Sequence, residues 1–572
     1  MTQKPIFFSL FFAVFLALFA QAKGAGTSAI KSPFTLVGHL ETRNYTHLSY
    51  ALAAFSRQAS LDYDFENIRP VASHLLYTPA LAGIDLNQPL KVYFFKETSP
   101  QTETNTFHRL VFSRLNDNGA QLFDAMRTIY TAFERHKWGV TFSQPRASFD
   151  WPFEAVTVSL DKETAIISES AMLIEWYTLT TPLLPSSTSY DGVFAGNFNA
   201  AAMSQLLTPV QTSTPTTLTG NNLTQLLSGL IAVSLPTVEK IVFATETDGI
   251  ALSLKATITP KTNHKLHHNR HNKALSLPQA TIIPENAIFA AVDACPSTLG
   301  DWISNIFDRQ VAGMPTLNTI VTKNITSYTS FLAPTANNDS LLFVSSLVSL
   351  YPSQALNIVT QTLATASFGK DLTYHTQPLR RENGVEIHSY QLVYHKTDTD
   401  HTTQRQHHAT IDANTLPLLI ALATKGLTCE VALSGSNLAL TLGPPGSITD
   451  VLKSLENATA NPQHLQHLAA TGNYRLPPTA ESISLFYPVR LFHNLVKVLP
   501  GSRTEMVRRI PTTGDGFIAV RLPPDKNGDT ASHVRFAANE LNSLQTAISR
   551  GQPIIQELLL MSAFQSLMEI GK

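Results

Sequence analysis

The residues best suited to metal or proton chemistry lie in one short stretch, Lys261 to Lys273, KTNHKLHHNRHNK, which holds four histidines and four Lys/Arg and no acid. His264 and His268 stand four apart, as do His267 and His271. On a helix each pair would share a face, where two neutral imidazoles could chelate Zn²⁺ or Ni²⁺. Below about pH 6.5 the same rings would charge, which makes the segment a candidate pH sensor. Lys265 and Arg270 repel a cation, and no carboxylate or thiol is interleaved as co-ligand. The composition therefore favours a solvated linker.

Other groups invite the same question. His395, Asp398, Asp400, His401, His407 and His408 mix acids with imidazoles, but they fall around Lys396 to Thr403, where a polar hairpin loop is expected. Asp525, Asn527 and Asp529 match positions 1, 3 and 5 of a calcium loop. Thr530 then replaces the glycine of position 6 and Phe536 the glutamate of position 12, so the stretch reads as a turn after Pro523-Pro524. Glu41 and Asp293 each follow a short strand and precede a helical pattern. Negative charge there is worth about 0.3–1 kcal/mol against the helix dipole, and this is preferred to an acid–base role. Cys295 and Cys429 are the two cysteines. In an oxidising compartment they could form one disulfide; as buried thiols they would be inert.

No nucleophile elbow, zincin helix, phosphate loop or dinucleotide fingerprint occurs in the chain. No catalytic residue and no cofactor is assigned. A Ser-His-Asp triad or a carboxylate pair need leave no local motif, so a hydrolase stays open as an alternative.

The elements that must position these residues fall into a doubled pattern. PFTLVGHLETRNYTHLSYALAAFSRQ, from Pro33, and ENAIFAAVDACPSTLGDWISNIFDRQ, from Glu285, align at an offset of 252. Leu40 then meets Val292, Glu41 meets Asp293, and Tyr50 meets Trp302. Each reads as a strand, an acid and an amphipathic helix, with apolar faces at Leu48, Ala51, Leu52 and Phe55 and at Leu299, Trp302, Ile303 and Ile306. Mid-unit, VTVSLDKETAIIS (from Val156) parallels EVALSGSNLALTLG (from Glu430). Near the ends, Gly192 to Pro209 parallels Ser482 to Pro500 as strand then helix, and hairpins are expected at Asp248-Gly249 and Asp515-Gly516, with type I′ turns. A further hairpin is expected at Asn383-Gly384. Helices are expected at Ala120 to His136, Ser532 to Ser549 and Pro553 to Ile570, and a capping box at Ser447-Ile-Thr-Asp450.

The fold class that follows is α+β: two diverged repeats, each an antiparallel hairpin-rich sheet backed by helices. The expected layout is a signal peptide over 1–22, a short linker over 23–30, repeat unit 1 over 31–260, the His/basic linker over 261–283, repeat unit 2 over 284–530 and C-terminal helices over 531–572. The leader reading rests on Lys4, the apolar run Ile6 to Ala20 and the small-x-small site Ala20-Gln21-Ala22. That run is shorter than the roughly 20 residues of a spanning helix, and no later stretch is long and apolar enough to span.

Hydrophobic residues make up 43% and charged residues 15%, a composition that builds a large core. Lys+Arg 41 against Asp+Glu 42 leaves no basic excess, which argues against nucleic acid as a partner. The strand-acid-helix opener, the hairpin continuing into LKATITPKTN and the restart LPQATIIPENAIFAAVD resemble large exported proteins of the Planctomycetes–Verrucomicrobia group of bacteria. The resemblance implies a bacterial periplasmic or secreted setting and supplies no catalytic residues. The expected function is a non-enzymatic binding or scaffold protein for an envelope protein, lipid or polymer. The alternatives are an extracellular hydrolase and a metal- or pH-responsive envelope protein.

Overall fold

A computed structural model describes residues 33–60, 76–98, 105–142, 156–199, 238–260, 278–294, 325–394 and 427–551, with short breaks, and a few isolated positions besides. The protein is a mixed α+β chain whose strands pair antiparallel. It divides into two compact units, 1–267 with 524–533, and 268–523 with 534–572.

Unit 1 opens with β1 (Phe34–Thr42) and α1 (Tyr45–Gln58). The helix starts where Asn44, in an extended conformation, accepts His47 N at 2.8 Å. Then come β2 (Leu90–Thr98), β3 (Asn105–Arg114), α2 (Ala120–Ile129), β4 (Phe133–His136), β5 (Gly139–Phe142), β6 (Val156–Asp161), β7 (Thr164–Ser168), α3 (Ala171–Thr180), β8 (Phe194–Asn199), β9 (Val238–Thr247) and β10 (Ala251–Pro260). Across the sheet the order is β4-β5-β6-β7-β3-β2-β1-β8-β9-β10. One face carries Leu40, Val92, Phe94, Val111 and Ile167 and is closed by Tyr45 of α1 and Leu122 and Met126 of α2. The other carries Tyr93, Phe95, Leu110 and Ile166 and is closed by Leu173 and Ile174 of α3. Burial on both faces explains why the central strands read as near-continuous apolar runs.

Unit 2 contains β11 (Phe289–Asp293), β12 (Ile325–Pro334), β13 (Leu341–Ser349), α4 (Pro352–Thr365), β14 (Ser367–Phe368), β15 (Leu372–Thr376), β16 (Arg380–Glu382), β17 (Val385–Tyr394), β18 (Thr428–Ser434), β19 (Asn437–Gly443), α5 (Ser447–Glu456), α6 (Pro462–Ala470), β20 (Ser482–Phe486), α7 (Pro488–Val498), α8 (Thr504–Val507) and β21 (Phe517–Arg521). The order is β15-β17-β18-β19-β13-β12-β11-β20-β21, with β14 on β15 and β16 on β17. Ala290, Val292, Val344, Ala432 and Ala439 pack under α5 and α6. Tyr390, Cys429, Val431 and Leu438 pack under α4.

Several local expectations are revised. The helix from Ala120 stops at Ile129, and Phe133–His136 pairs with β5 instead. Thr530–Ala537 is strand β22, and helix follows only over residues 538–551. Both segments alternate as readily as they cycle, so pairing with a neighbouring strand decides them. Asn383 (φ 50) and Gly384 (φ 81) are both left-handed, as a type I′ turn needs. At Asp248-Gly249 only the glycine is left-handed, because Asp248 Oδ1 accepts Ile250 N at 3.0 Å and Ala251 N at 2.7 Å. Asp515-Gly516 is no hairpin: β21 begins at Phe517 and pairs with β20, and residues 511–516 form no strand. Nor does Ser447 cap α5. Its Oγ donates to Pro444 O at 2.6 Å, and Gly446 at φ 85 is the N-cap residue. Pro553 to Ile570 lies almost wholly outside the described residues, as do the signal segment and the Leu299 to Ile306 helix.

Candidate functional site

In unit 1 five polar side chains converge around the end of β7. Glu169 follows that strand just before α3, where it bridges both sheet faces. Its Oε1 accepts Arg109 N of β3 at 3.0 Å, and its Oε2 accepts the buried Tyr77 hydroxyl. Arg109 Nε donates to the same hydroxyl oxygen at 2.5 Å, and its guanidinium lies 4.0 Å over the Tyr77 ring. On the opposite face His108 Nε2 meets Glu97 Oε2 at 2.7 Å, and its Nδ1 stands 3.7 Å from Glu169 Oε1.

Electrostatics follow from this geometry. Burial opposes an ionised Glu169, but the His108 contact, the Arg109 charge and the Tyr77 hydroxyl together hold its carboxyl below the usual range. Burial likewise opposes a charged His108, yet Glu169 and Glu97 win and raise its pKa. Burial first, then Glu169, pushes the Tyr77 phenol well up, so it stays protonated. The result is a neutral phenol between Glu169 and the Arg109 guanidinium, and an imidazole whose protonated form is favoured by its place between Glu97 and Glu169. The cluster ties β2, β3, β7 and the segment before the 3₁₀ turn Pro79–Leu81 together. Such a network cross-links a fold; it presents no activated nucleophile.

Two other buried glutamates are also bound to backbone. Glu430 of β18 accepts Gly446 N at 3.0 Å and Ile448 N at 3.1 Å, which caps α5, and it pairs with Arg380 Nη2 at 3.2 Å. Glu540 accepts Val489 N at 2.8 Å at the start of α7 and Gly516 N at 3.0 Å. Burial raises its pKa, against the pull of those two amides. A β-carbon at Gly514 would lie 1.7 Å from Glu540 Oε2. Gly514→Ala is therefore expected to evict the carboxylate, leave two amides unpaired and cost about 1–3 kcal/mol. In a Glu540→Ala background the same change should cost little, a non-additivity that a double-mutant cycle in denaturant would read.

His39 is different. It is buried in β1 with neither ring nitrogen hydrogen-bonded, its ring 5.5 Å from that of Tyr93. Burial, then the Lys91 and Lys240 charges, lower its pKa to about 4. Nothing in the sequence marks it beyond its place in an otherwise apolar strand.

A cavity of about 270 Å³ opens in unit 2. Its walls are Pro278 and Gln279 of the 3₁₀ turn Pro278–Ile282, Thr326 and Ser327 of β12, Val348 of β13, Ser436 and Asn437 of the β18–β19 hairpin, and Leu455 of α5. Among the described residues no titratable side chain lines it.

The sequence-derived candidates fare unevenly. His264, His267, His268 and His271, and the patch from His395 to His408, lie outside the described residues, as does Cys295. Cys429 is a buried free thiol in β18, and burial pushes its pKa to about 12. The Asp525 stretch is a turn, closed by Asp529 N donating to Asp525 Oδ1 at 2.9 Å. Among the described residues no group of three or more His, Cys, Asp or Glu could hold a metal ion, and no helix is long and apolar enough to cross a membrane.

Glu41 and Asp293 are sheet residues rather than helix-end charges. Glu41 sits 3.9 Å from Lys91, three residues before the Asn44 cap, and Asp293 Oδ1 accepts Arg521 Nη2 at 2.7 Å. They also face differently. Glu41 pairs with Lys91 and so shares the face covered by α3, the helix after β7. Asp293 pairs with Tyr328 and so shares the face covered by α4, the helix after β13. An offset of one residue reverses every side chain in a strand, so the 252-residue alignment matches these acids in sequence but not in space.

Fold and sites together define a mixed α+β protein built on antiparallel sheet, with buried carboxylates serving its backbone. No protein-family model, no curated protein and no solved structure matches the chain.

Proposed function

We propose that the protein is an exported, non-enzymatic binding or scaffold protein made of two diverged copies of one unit. The export reading rests on the leader-like residues 1–22. The duplication is supported by strand order. In each unit the first strand lies between the start of a hairpin (β2 or β12) and a late strand (β8 or β20). The hairpin's second strand then pairs with β7 or β19, which returns from the outer edge.

The observation that carries the binding reading is a separation of parts. The side chains of Tyr77, His108, Arg109 and Glu169 bond chiefly to one another and to Glu97, whereas the described lining of the unit 2 cavity has hydroxyls and amides but no acid or base. A hydrolytic site needs a cavity and a general base within hydrogen-bond reach of each other. The full chain, incubated with fluorogenic ester, phosphomonoester and glycoside substrates, is expected to show no turnover above a blank. Turnover that disappears in Glu169→Gln would replace this reading with the hydrolase.

A further inference from the structure

We infer that the unit 2 cavity is a subsite for one neutral sugar ring, an assignment that rests on the binding-protein reading above and names its ligand class. Chemistry of the lining carries the argument. Gln279, Thr326, Ser327, Ser436 and Asn437 are uncharged, and each offers both donor and acceptor capacity. A bound ion would lose its hydration with no opposite charge to replace it, and an apolar ligand would strand the amides and hydroxyls. A polyol, whose hydroxyls both donate and accept, satisfies such a wall.

The wall is also built in advance. Gln279, buried, donates from Nε2 to Ser327 Oγ at 2.7 Å, which leaves that hydroxyl its own proton and the amide its oxygen. Thr326 Oγ1 donates to Val348 O at 3.3 Å. Ser349 N donates to Ser436 O at 3.2 Å, fixing the hairpin tip, where Gly435 takes φ 60, against the end of β13. A volume of about 270 Å³ suits a single ring better than a drug-sized ligand.

Two and three residues past the wall residue Val348 the chain exposes Leu350 (65%) and Tyr351 (52%). Tyr351 N is held by Ser349 Oγ at 3.1 Å, so this pair is anchored to the same strand end that forms the wall. The inference places the Tyr351 ring, three residues from the wall, against the C–H face of a sugar whose hydroxyls the pocket pairs.

The test is calorimetric titration of the full chain with glucose, galactose, mannose and N-acetylglucosamine, with glycerol and sodium phosphate as controls. One or more of the four sugars is expected to saturate, and the controls are not. Asn437→Leu should weaken that sugar about tenfold or more, and Tyr351→Ala severalfold, a loss of about 1.4 kcal/mol for each factor of ten. Tyr351 is exposed, so its removal leaves folding intact. Saturation by phosphate, no saturation by any of the sugars, or equal binding by both variants overturns the sugar subsite. Retention of the full chain on isolated cell-envelope material in that event would leave the binding-protein reading standing.

Discussion

Replacing Glu430 by alanine is expected to cost unit 2 about 2–4 kcal/mol. The side chain is 1% exposed and serves four partners: the amides of Gly446 and Ile448, the guanidinium of Arg380 and, at 3.5 Å, the Ser389 hydroxyl. Truncation leaves two amides at a helix start without an acceptor, while Arg380 keeps its pair with Glu382 at 2.8 Å. Glu430→Gln keeps one acceptor but turns an NH₂ toward a backbone N–H, so about 1–3 kcal/mol is expected. Ser447→Ala supplies the contrast. A capping box at Ser447 would make it costly, whereas a hydroxyl that only meets Pro444 O makes it cheap. A chain of two units need not unfold in one step, so amide exchange of α5 is the clearer readout. Fast exchange there in Ser447→Ala, with protection kept in Glu430→Ala, would reverse the assignment.

Acid should unfold unit 1 through His39. A folded pKa of about 4 against 6.5 in the unfolded chain means that the unfolded state binds the proton first as pH falls. The neutral ring's contribution is full above pH 6.5 and disappears as pH drops toward 4, a loss of about 3 kcal/mol. His108 works in the opposite direction, since its raised pKa adds stability below 6.5 and gives it up as pH rises through the folded value. Phenylalanine at position 39 fills the same buried slot beside Tyr93 and cannot titrate. Urea unfolding of the wild-type chain and of His39→Phe, each at neutral pH and at pH 4, isolates the effect. The variant is expected to lose about 3 kcal/mol less than wild type. Equal losses would mean that the imidazole gains a partner or water on protonation.

Both predictions rest on residues that the sequence left unmarked. Glu430 looks like one acid in an alternating strand, and the local capping box at Ser447 was the stronger signal. The helix start is in fact closed by a carboxylate 18 positions back. Glu169, His108 and Tyr77 are likewise far apart in sequence, 92 positions separating Tyr77 from Glu169. Polar residues that meet only across strands carry no spacing signal.

Sequence alone determined the α+β class, the opening strand β1 with its helix α1, the β9–β10 hairpin and the Asn383-Gly384 turn. Those depend on periodicity and on local φ preferences, which are written within a few residues of one another. Tertiary structure alone decided which acids cap which helices, that Glu41 and Asp293 face differently, that Thr530–Ala537 is strand, and where a cavity opens. The physical reason is range. Register, burial and long-range hydrogen bonds are properties of neighbours brought together by folding, and one residue of slip in a strand is enough to turn a side chain from one face to the other.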